Sequence, residues 1–435
     1  MGANTTKGYF YLPALGASGQ SELDLYNAGQ QVADTQLPIF PQAYATGTGT
    51  AIDPWAGDCL QDAVNACPAG GTVFCRAGYY EAPAGAVLFY SNKSISVIGE
   101  GIQKTFFITA NFHGIYLGDI ITDHITLQGF TLDCSAQEDD TSYGITTASC
   151  GHSYLTIKDV EVHDAGKYGI DNNRVNYGTF ENLYLHGNGT LGLHPGANDT
   201  GWNKYNTYRN IYTYDNLSAG ISDVGNQSLP NEYLANQYDN IWAWGNATPG
   251  IQITNQRGSS ISNSYCFDND GVGFSFYDVE EFNVSNCVSY SNGKYGVGVE
   301  NSANVNLTNV IVKNNNIAET TYAGISIDDS NNITLTSCQS FDDNGTALQT
   351  YGLALTGTNT VIKLIDCKLA PNLTGEISGT TAGIVTSVEG VLDGTKAVVG
   401  DIQYHDGTNW VRLAKGTEGQ VLTMGASNIP TWATP

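Results

Sequence analysis

Short alternations of apolar and polar residues, separated by Asn and Gly, recur along residues 129–372 at a nearly fixed interval. One small or polar position opens each repeat: Gly129, Asp159, Asn182, Asn210, Asn240, Asn263, Asn286, Asn309, Ser337 and Asp366. The interval is 23 residues in the plain repeats and 28 to 30 where residues are inserted. The first and third residues after this anchor are apolar or small, as in Phe130/Leu132, Val160/Val162, Leu183/Leu185 and Val310/Val312. Alternation assigns them to an interior and sends the second and fourth outward. Six residues past the anchor runs a second polar column, Asn188, Asn216, Asn246, Asn269, Asn292, Asn315, Asp343 and Asn372. A Gly then opens another strand, and six consecutive repeats, from Gly169 to Gly296, keep it ten residues past the anchor. Self-similarity of this kind predicts stacked coils rather than a globular core. The expected fold is an all-β parallel β-helix, each strand pairing with the coils above and below it about 4.8 Å away. Turn Asn residues buried in register are expected to bond to one another along the stack.

Composition narrows the partners. The chain has 435 residues, 51 Gly, only 17 Lys and Arg, and a formal charge of −25. Such a balance argues against nucleic acid or an anionic membrane, and repels a polyuronate unless cations intervene. Neutral glycans, or anionic ones with bound Ca²⁺, remain open. The sequence contains no apolar run long enough to span a bilayer, and Met1-Gly2-Ala3-Asn4 lacks a charged-then-apolar leader, so neither membrane insertion nor a signal peptide is expected. Nine cysteines leave at least one unpaired in a monomer. Cys338 and Cys367 fall in one inward column of adjacent coils; Cys266 and Cys287 fall in neighbouring coils at different inward positions. These read as small buried residues. Pairing among Cys59, Cys67 and Cys75 stays open. The cysteines show no metal-ligand spacing, and no residue is assigned to a metal.

The flanks differ from the repeats. Asp58–Cys67 has helical apolar spacing and stops at Pro68, which reads as a short cap. It is followed by Gly70-Gly71-Thr72-Val73 and, later, Val97-Ile98-Gly99-Glu100-Gly101. This run resembles the entry segment of the pectate-lyase-like superfamily of right-handed β-helices. The resemblance implies a right-handed single-stranded β-helix over residues 46–390, with a helix covering its open end. It leaves the activity open, since that scaffold carries lyases, hydrolases, epimerases and adhesins. Gly400–Leu413, Gly416–Leu422 and Pro430-Thr431-Trp432 resemble the short β modules that close viral tailspikes and tail fibres. Residues 391–435 are therefore expected to be an oligomerisation module that buries Trp410, Val421, Leu422 and Trp432 in a homotrimer. Residues 1–45 resemble a viral attachment segment less specifically.

Two outward surfaces carry candidate chemistry. Outward positions of the first strand give Glu161/His163, Tyr184/His186, Tyr212/Tyr214, Trp242/Trp244 and Tyr265/Phe267, an aromatic stripe suited to sugar faces or to a subunit contact. In the second strand's outward column Asp171 falls beside His194 in adjacent coils, with Tyr168 and Arg174 close by. A carboxylate orienting an imidazole, a phenol as a second acid or base and a guanidinium for a sugar carboxylate suit proton abstraction, with β-elimination or epimerisation to follow. Tyr168-Gly169-Ile170-Asp171 is similar to the Tyr-Gly-Phe-Asp-Pro-His motif of mannuronan C5-epimerases and related alginate lyases. Here the chain continues Asn172-Asn173, so only Tyr168 and Asp171 carry over, with His194 as a displaced substitute for the family's His. Glu161, His163, Asp164 and His186 gather at one end of the stripe, where paired carboxylates of suitable separation hydrolyse glycosidic bonds. The acidic loop Glu138-Asp139-Asp140 near Asp133 is a candidate for Ca²⁺.

The leading expectation is a tailspike-like or fibre-like surface protein, on a virion or outside a cell, that binds and in an enzymatic version depolymerises a host-surface polysaccharide. The alternatives are an extracellular polysaccharide lyase or uronan epimerase using Tyr168, Asp171, Arg174 and His194, and a non-catalytic fibre or adhesin.

Overall fold

The structure, a computed structural model, describes residues 59–379 apart from 84, 110–111, 119–121, 138–139, 148–150, 197–202, 226–232, 318–320 and 345–347, together with 384–386, 401–405, 410–425 and 429–435. The expectations for residues 1–45 and for Glu138 and Asp139 lie outside the described residues.

About ten coils stack as a parallel β-solenoid. A 19-stranded parallel sheet takes the first strand of every coil, a 12-stranded parallel sheet takes the second, and a small third sheet joins Thr122–Asp123, His152–Ser153 and Val175–Asn176. The phase read from the sequence holds. In Thr156–His163, Val160 and Val162 are buried while Glu161 and His163 face out. Tyr212, Trp242 and Trp244 lie outside the tube, half-buried.

The first strand is longer than the repeat suggests. It begins three residues before the anchor, as in Thr156–His163, Thr179–His186, Thr207–Tyr214 and Gln237–Trp244. The anchor sits in mid-strand in the left-handed region: φ is 53° at Asp159, 55° at Asn182, 53° at Asn210 and 55° at Asn240. Asn and Asp tolerate that conformation better than other side chains, which accounts for the column and bends the strand there. A third inward column precedes the bend and includes a lumenal stack, Phe180, Tyr208 and Tyr238, with successive centroids 4.9 Å apart.

The two Asn columns divide their work. The anchors bond to one another near the surface, Asn182 Nδ2 donating to Asp159 Oδ1 at 2.7 Å and Asn210 Nδ2 to Asn182 Oδ1 at 2.9 Å. From Asn188 to Asn315 the second column is fully buried, and each side-chain amide from Asn188 to Asn292 donates to the next coil's Asn side-chain oxygen at 2.8 to 2.9 Å. Asp343 does not belong to this ladder: it sits at the surface, where its Oδ1 accepts from Asn314 Nδ2. Gln349 fills the vacant rung, accepting from the Asn315 N–H and donating to Asn372 Oδ1 at 2.6 Å. The inserted residues after Ser337 shift which side chain reaches the lumen, and a six-residue count misses that.

The repeated Gly has a steric cause. A Cβ on Gly169 would stand 2.8 Å from the Gly192 carbonyl oxygen, and one on Gly220 would stand 2.7 Å from that of Gly250. Neighbouring coils approach backbone to backbone at this corner, leaving no room for a side chain.

At the start, the helix Cys59–Ala66 buries Cys59, Leu60, Ala63 and Val64 against the tube. Gln61 pairs with the free edge of Tyr90, accepting from its N–H at 2.7 Å and donating to its carbonyl at 3.1 Å. The open edge of the first coil is thus satisfied rather than left to pair with another chain. Two antiparallel hairpins lie at the other end, Ile402–His405 with Trp410–Leu413 and Val421–Met424 with Pro430–Ala433. Val421, Leu422 and Met424 are exposed, while Trp432 donates its indole N–H to the Ala414 carbonyl. The Trp410 side chain lies outside the described residues.

Candidate functional site

Tyr168–Asn173 pairs in register with Leu191–Gly196, which sets Asp171 opposite His194. Asp171 Oδ1 lies 2.8 Å from His194 Nδ1. The other carboxylate oxygen accepts from Asn173 Nδ2 at 2.8 Å and Thr146 Oγ1 at 3.2 Å. The carboxylate is almost fully enclosed and these three contacts fix its plane; the imidazole is 22% exposed. Facing an acceptor, Nδ1 is assigned the proton, which leaves the Nε2 lone pair free for a substrate. Gly196 gives the ring its space, since a Cβ there would stand 2.9 Å from His194 Cε1 and 2.3 Å from Asn173 Oδ1.

The Tyr168 ring lies over His194, centroids 4.6 Å apart. Burial pushes the Tyr168 hydroxyl above the ordinary phenol range, with Asp171 adding to the shift against the opposing Lys167 charge, so it stands as a proton donor at neutral pH. The Lys167 ammonium lies 4.8 Å from the Tyr168 ring centre and 5.5 Å from that of Tyr143. Burial pulls Lys167 down, but the two phenols outweigh it and hold the ammonium above its usual range. Tyr143 stacks in turn on His113, whose Nδ1 accepts the Tyr143 N–H at 3.1 Å. Arg174 leaves the sheet at a left-handed corner, φ 54°, and starts the next face half-buried.

Lys167, Tyr143, His113 and Thr146 were not among the residues expected from the sequence. A signal for them existed: Tyr143-Gly144-Ile145-Thr146 repeats Tyr168-Gly169-Ile170-Asp171 one coil earlier, so the two tyrosines had to stand in one column.

On the first sheet the stripe forms two ladders. One runs Tyr184, Tyr212, Trp242 and Tyr265, with centroids 5.0, 6.5 and 4.2 Å apart. The other runs His163, His186, Tyr214, Trp244, Phe267 and Tyr290, at 5.3, 4.6, 4.5, 5.7 and 4.9 Å, with planes within 11° of parallel. Each interior ring is covered on both faces by its neighbours, so the ladders present ring edges outward, and the Trp242 indole N–H is taken by Asn240 Oδ1 at 2.9 Å. Ring-on-ring contacts of this kind are worth about 0.5–1.5 kcal/mol each beyond burial.

The cluster at the ladder's start is tied together. Glu161 accepts from His186 Nε2 at 3.4 Å, Thr131 Oγ1 at 2.8 Å and Gln103 Nε2 at 2.6 Å. The His186 contact leads in holding its carboxyl below the usual range, with Thr131 and Gln103 adding, so Glu161 is ionised at neutral pH. His163 Nδ1 faces Asp164 Oδ2 at 2.8 Å. Ligand atoms of Asp133, His163 and Asp164 lie within 4.8 Å of one another. That set differs from the acidic loop considered for Ca²⁺, and its imidazole suits a borderline transition ion better than Ca²⁺. Asp140 lines a shallow groove with Asp164, Gly187 and Leu217.

A family model described as a right-handed β-helix region matches residues 138–309, and the coils found there are parallel throughout. The fold is a right-handed parallel β-helix. No curated protein sequence is similar to this β-helix. Among solved structures it is similar to the A-module of mannuronan C-5 epimerase AlgE4 from Azotobacter vinelandii, at 18% identity and a TM-score of 0.67, covering 80% of this chain and 100% of that one. It is also similar to the Dettilon tailspike protein, at 13% identity and a TM-score of 0.57, covering 82% of this chain and 74% of that one. A third is PfbA, a surface adhesin of Streptococcus pneumoniae, at 12% identity and a TM-score of 0.55, covering 92% and 99%. At these identities the likeness establishes the β-helix fold. No helix among its described residues is long and apolar enough to cross a membrane.

Proposed function

We propose that the protein acts outside the cell or on a virion surface on an acidic polysaccharide, removing the proton at C5 of a uronate residue. The observation that carries this reading is the 2.8 Å contact between Asp171 and His194 beneath the Tyr168 ring. His194 Nε2 takes the C5 proton while Asp171 stabilises the imidazolium that forms. The electron pair passes toward the uronate carboxylate, whose added charge Lys167 offsets in a partly desolvated site, while Arg174, turned onto the next face, is left out of this step. Tyr168, kept protonated, then supplies a proton. Delivered to the leaving O4 it completes elimination, and the chain is a lyase; delivered to C5 it completes epimerisation. The local cation also answers the repulsion expected from a chain of charge −25.

The test is incubation with a panel of polyuronates in D₂O. Deuterium entering at C5, or unsaturated chain ends appearing, supports the reading. Retained glycan with no exchange and no new ends across the panel rejects it.

A second reading, a trimeric tailspike-like or fibre-like binder, is favoured by the terminal hairpins, whose Val421, Leu422 and Met424 are 46, 47 and 64% exposed in the single chain. Such a surface is suited to burial between copies, with residues 391–435 as the assembly module. A trimeric mass in solution, lost on removal of residues 391–435, supports it; a monomer rejects it.

A further inference from the structure

Cys338 and Cys367 stand on adjacent coils in direct register, as the bridge between Gln339 and Lys368 and the bond from the Lys368 N–H to the Cys338 carbonyl at 2.8 Å require. Their thiols sit in equivalent places one coil apart. Cys338 Sγ contacts the carbonyls of Leu307 and Thr336 at 3.3 and 3.5 Å; Cys367 Sγ contacts those of Leu335 and Ile365 at 3.4 and 3.5 Å. Leu307 pairs with Leu335, and Thr336 with Ile365, in the same register. In-register neighbours on adjacent coils have Cα atoms about 4.8 Å apart, inside the roughly 4.4–6.8 Å range that disulfides span. Closing the bond also needs the Cβ atoms drawn from about 4.8 Å to the roughly 3.5–4.5 Å that a disulfide spans, a small approach of the two strands together with rotation of the thiols toward each other.

Cys266 and Cys287 lack this arrangement. Cys266 pairs in register with Ser289. Cys287 lies one coil below the Val310 position and two below Cys338. Burial raises the Cys266, Cys287 and Cys134 thiols, which opposes thiolate chemistry.

We propose that Cys338 and Cys367 form an oxidisable thiol pair that closes into a disulfide and fastens the last two full coils of the solenoid. Cys367 is the attacking thiol. It is half-buried and so reachable, whereas Cys338 is fully enclosed. The adjacent Cys338 thiol favours the Cys367 thiolate and lowers its pKa, while that of Cys338 is itself raised, so Cys367 ionises first. With a small disulfide such as oxidised glutathione as oxidant, the Cys367 thiolate attacks one sulfur and displaces one glutathione thiolate. Cys338 then gives up its proton, attacks Cys367 in the mixed disulfide and displaces the second. Two protein thiols are oxidised and one glutathione disulfide is reduced to two thiols. The bond would join the coil of Gln339–Phe341 to that of Thr360–Ile365, on which, among the described residues of the solenoid, only the strands Gly375–Gly379 and Ile384–Thr386 follow.

The full chain is incubated with oxidised glutathione, unfolded in acid, alkylated and digested, and the peptides are mapped by mass. The expected result is a Cys338–Cys367 linked peptide two hydrogens lighter than the sum of its parts, absent in Cys338→Ser, where Cys367 carries glutathione instead. Oxidised wild type should melt higher than the reduced protein, and oxidised Cys338→Ser should not. Full alkylation of both cysteines after oxidation, or linkage of either to Cys266, Cys287 or the Cys59–Cys75 group, overturns the proposal. A linked pair with an unchanged melting temperature overturns the fastening role.

Discussion

The outer face of the first sheet and the outer face of the second are built from the same repeat and keep it differently. On the first, each coil places an aromatic or imidazole ring over the last, and the rings cover one another. On the second, the column that carries Asp171 and His194 does not repeat. A buried carboxylate, an imidazole, two phenols and an ammonium meet within three coils and nowhere else in that column among the described residues. A regular stack satisfies itself, whereas a departure from the repeat leaves polar groups pointing at something absent from the fold. In a solenoid, function is therefore sought where the period fails rather than where it is most conspicuous.

That contrast can be broken by exchanging substitutions between the faces. His194→Ala or Asp171→Asn should cut turnover of a polyuronate by about 10²–10⁴-fold, the usual range for an acid–base group, with little change in melting temperature. Trp244→Leu should do the reverse. If Trp244→Leu abolishes turnover while the coils stay folded, the division between the two faces is wrong.

A second test concerns a group inside the tube. Asp223 is fully buried, accepts from the Tyr238 hydroxyl and Asn236, and keeps one oxygen without a partner. Burial is the main cause that raises its carboxyl from 3.8 to about 7. The folded chain therefore holds this proton between about pH 4 and pH 7, where the unfolded chain has released it. The contribution to stability is complete below pH 4, falls as pH rises to 7, and is flat above. Asp223→Asn should remove that slope and, above pH 7, stabilise the fold by up to about 4 kcal/mol. A melting profile in which wild type and variant keep the same slope from pH 4 to pH 7 contradicts this.

Smaller effects grade the regular parts. Asn246→Ala removes a rung bonded on both sides, leaves the buried Asn216 backbone N–H without its acceptor and takes one of two donors from Asn269 Oδ1, at about 1–3 kcal/mol. Asn286→Ala, on the exposed anchor column, should cost under about 1 kcal/mol, mostly through its left-handed backbone. Denaturant titration of the pair distinguishes them; equal losses would mean that burial does not separate the two columns.

Much of this was legible in the sequence because a solenoid writes its period openly. The inward columns, the Gly corner and the outward aromatics follow from alternation alone. So did the meeting of Asp171 with His194, since equal positions in adjacent coils must touch. What escaped depends on what a count of residues cannot carry. The left-handed anchor hid the first half of each strand, because three residues before a bend look like loop. Gln349 replaced Asp343 because the insertion after Ser337 changes which side chain reaches the lumen. Lys167 and Tyr143 were missed because their role depends on side-chain reach across coils, and the stripe stayed open as a sugar platform or a subunit contact because spacing does not reveal that the rings lie face to face.

The most direct test of the account is C5 proton exchange on one polyuronate in D₂O, measured in parallel for wild type, His194→Asn and Trp244→Leu. The account predicts deuterium at C5 with wild type and Trp244→Leu and background exchange with His194→Asn. Undiminished exchange with His194→Asn would contradict it.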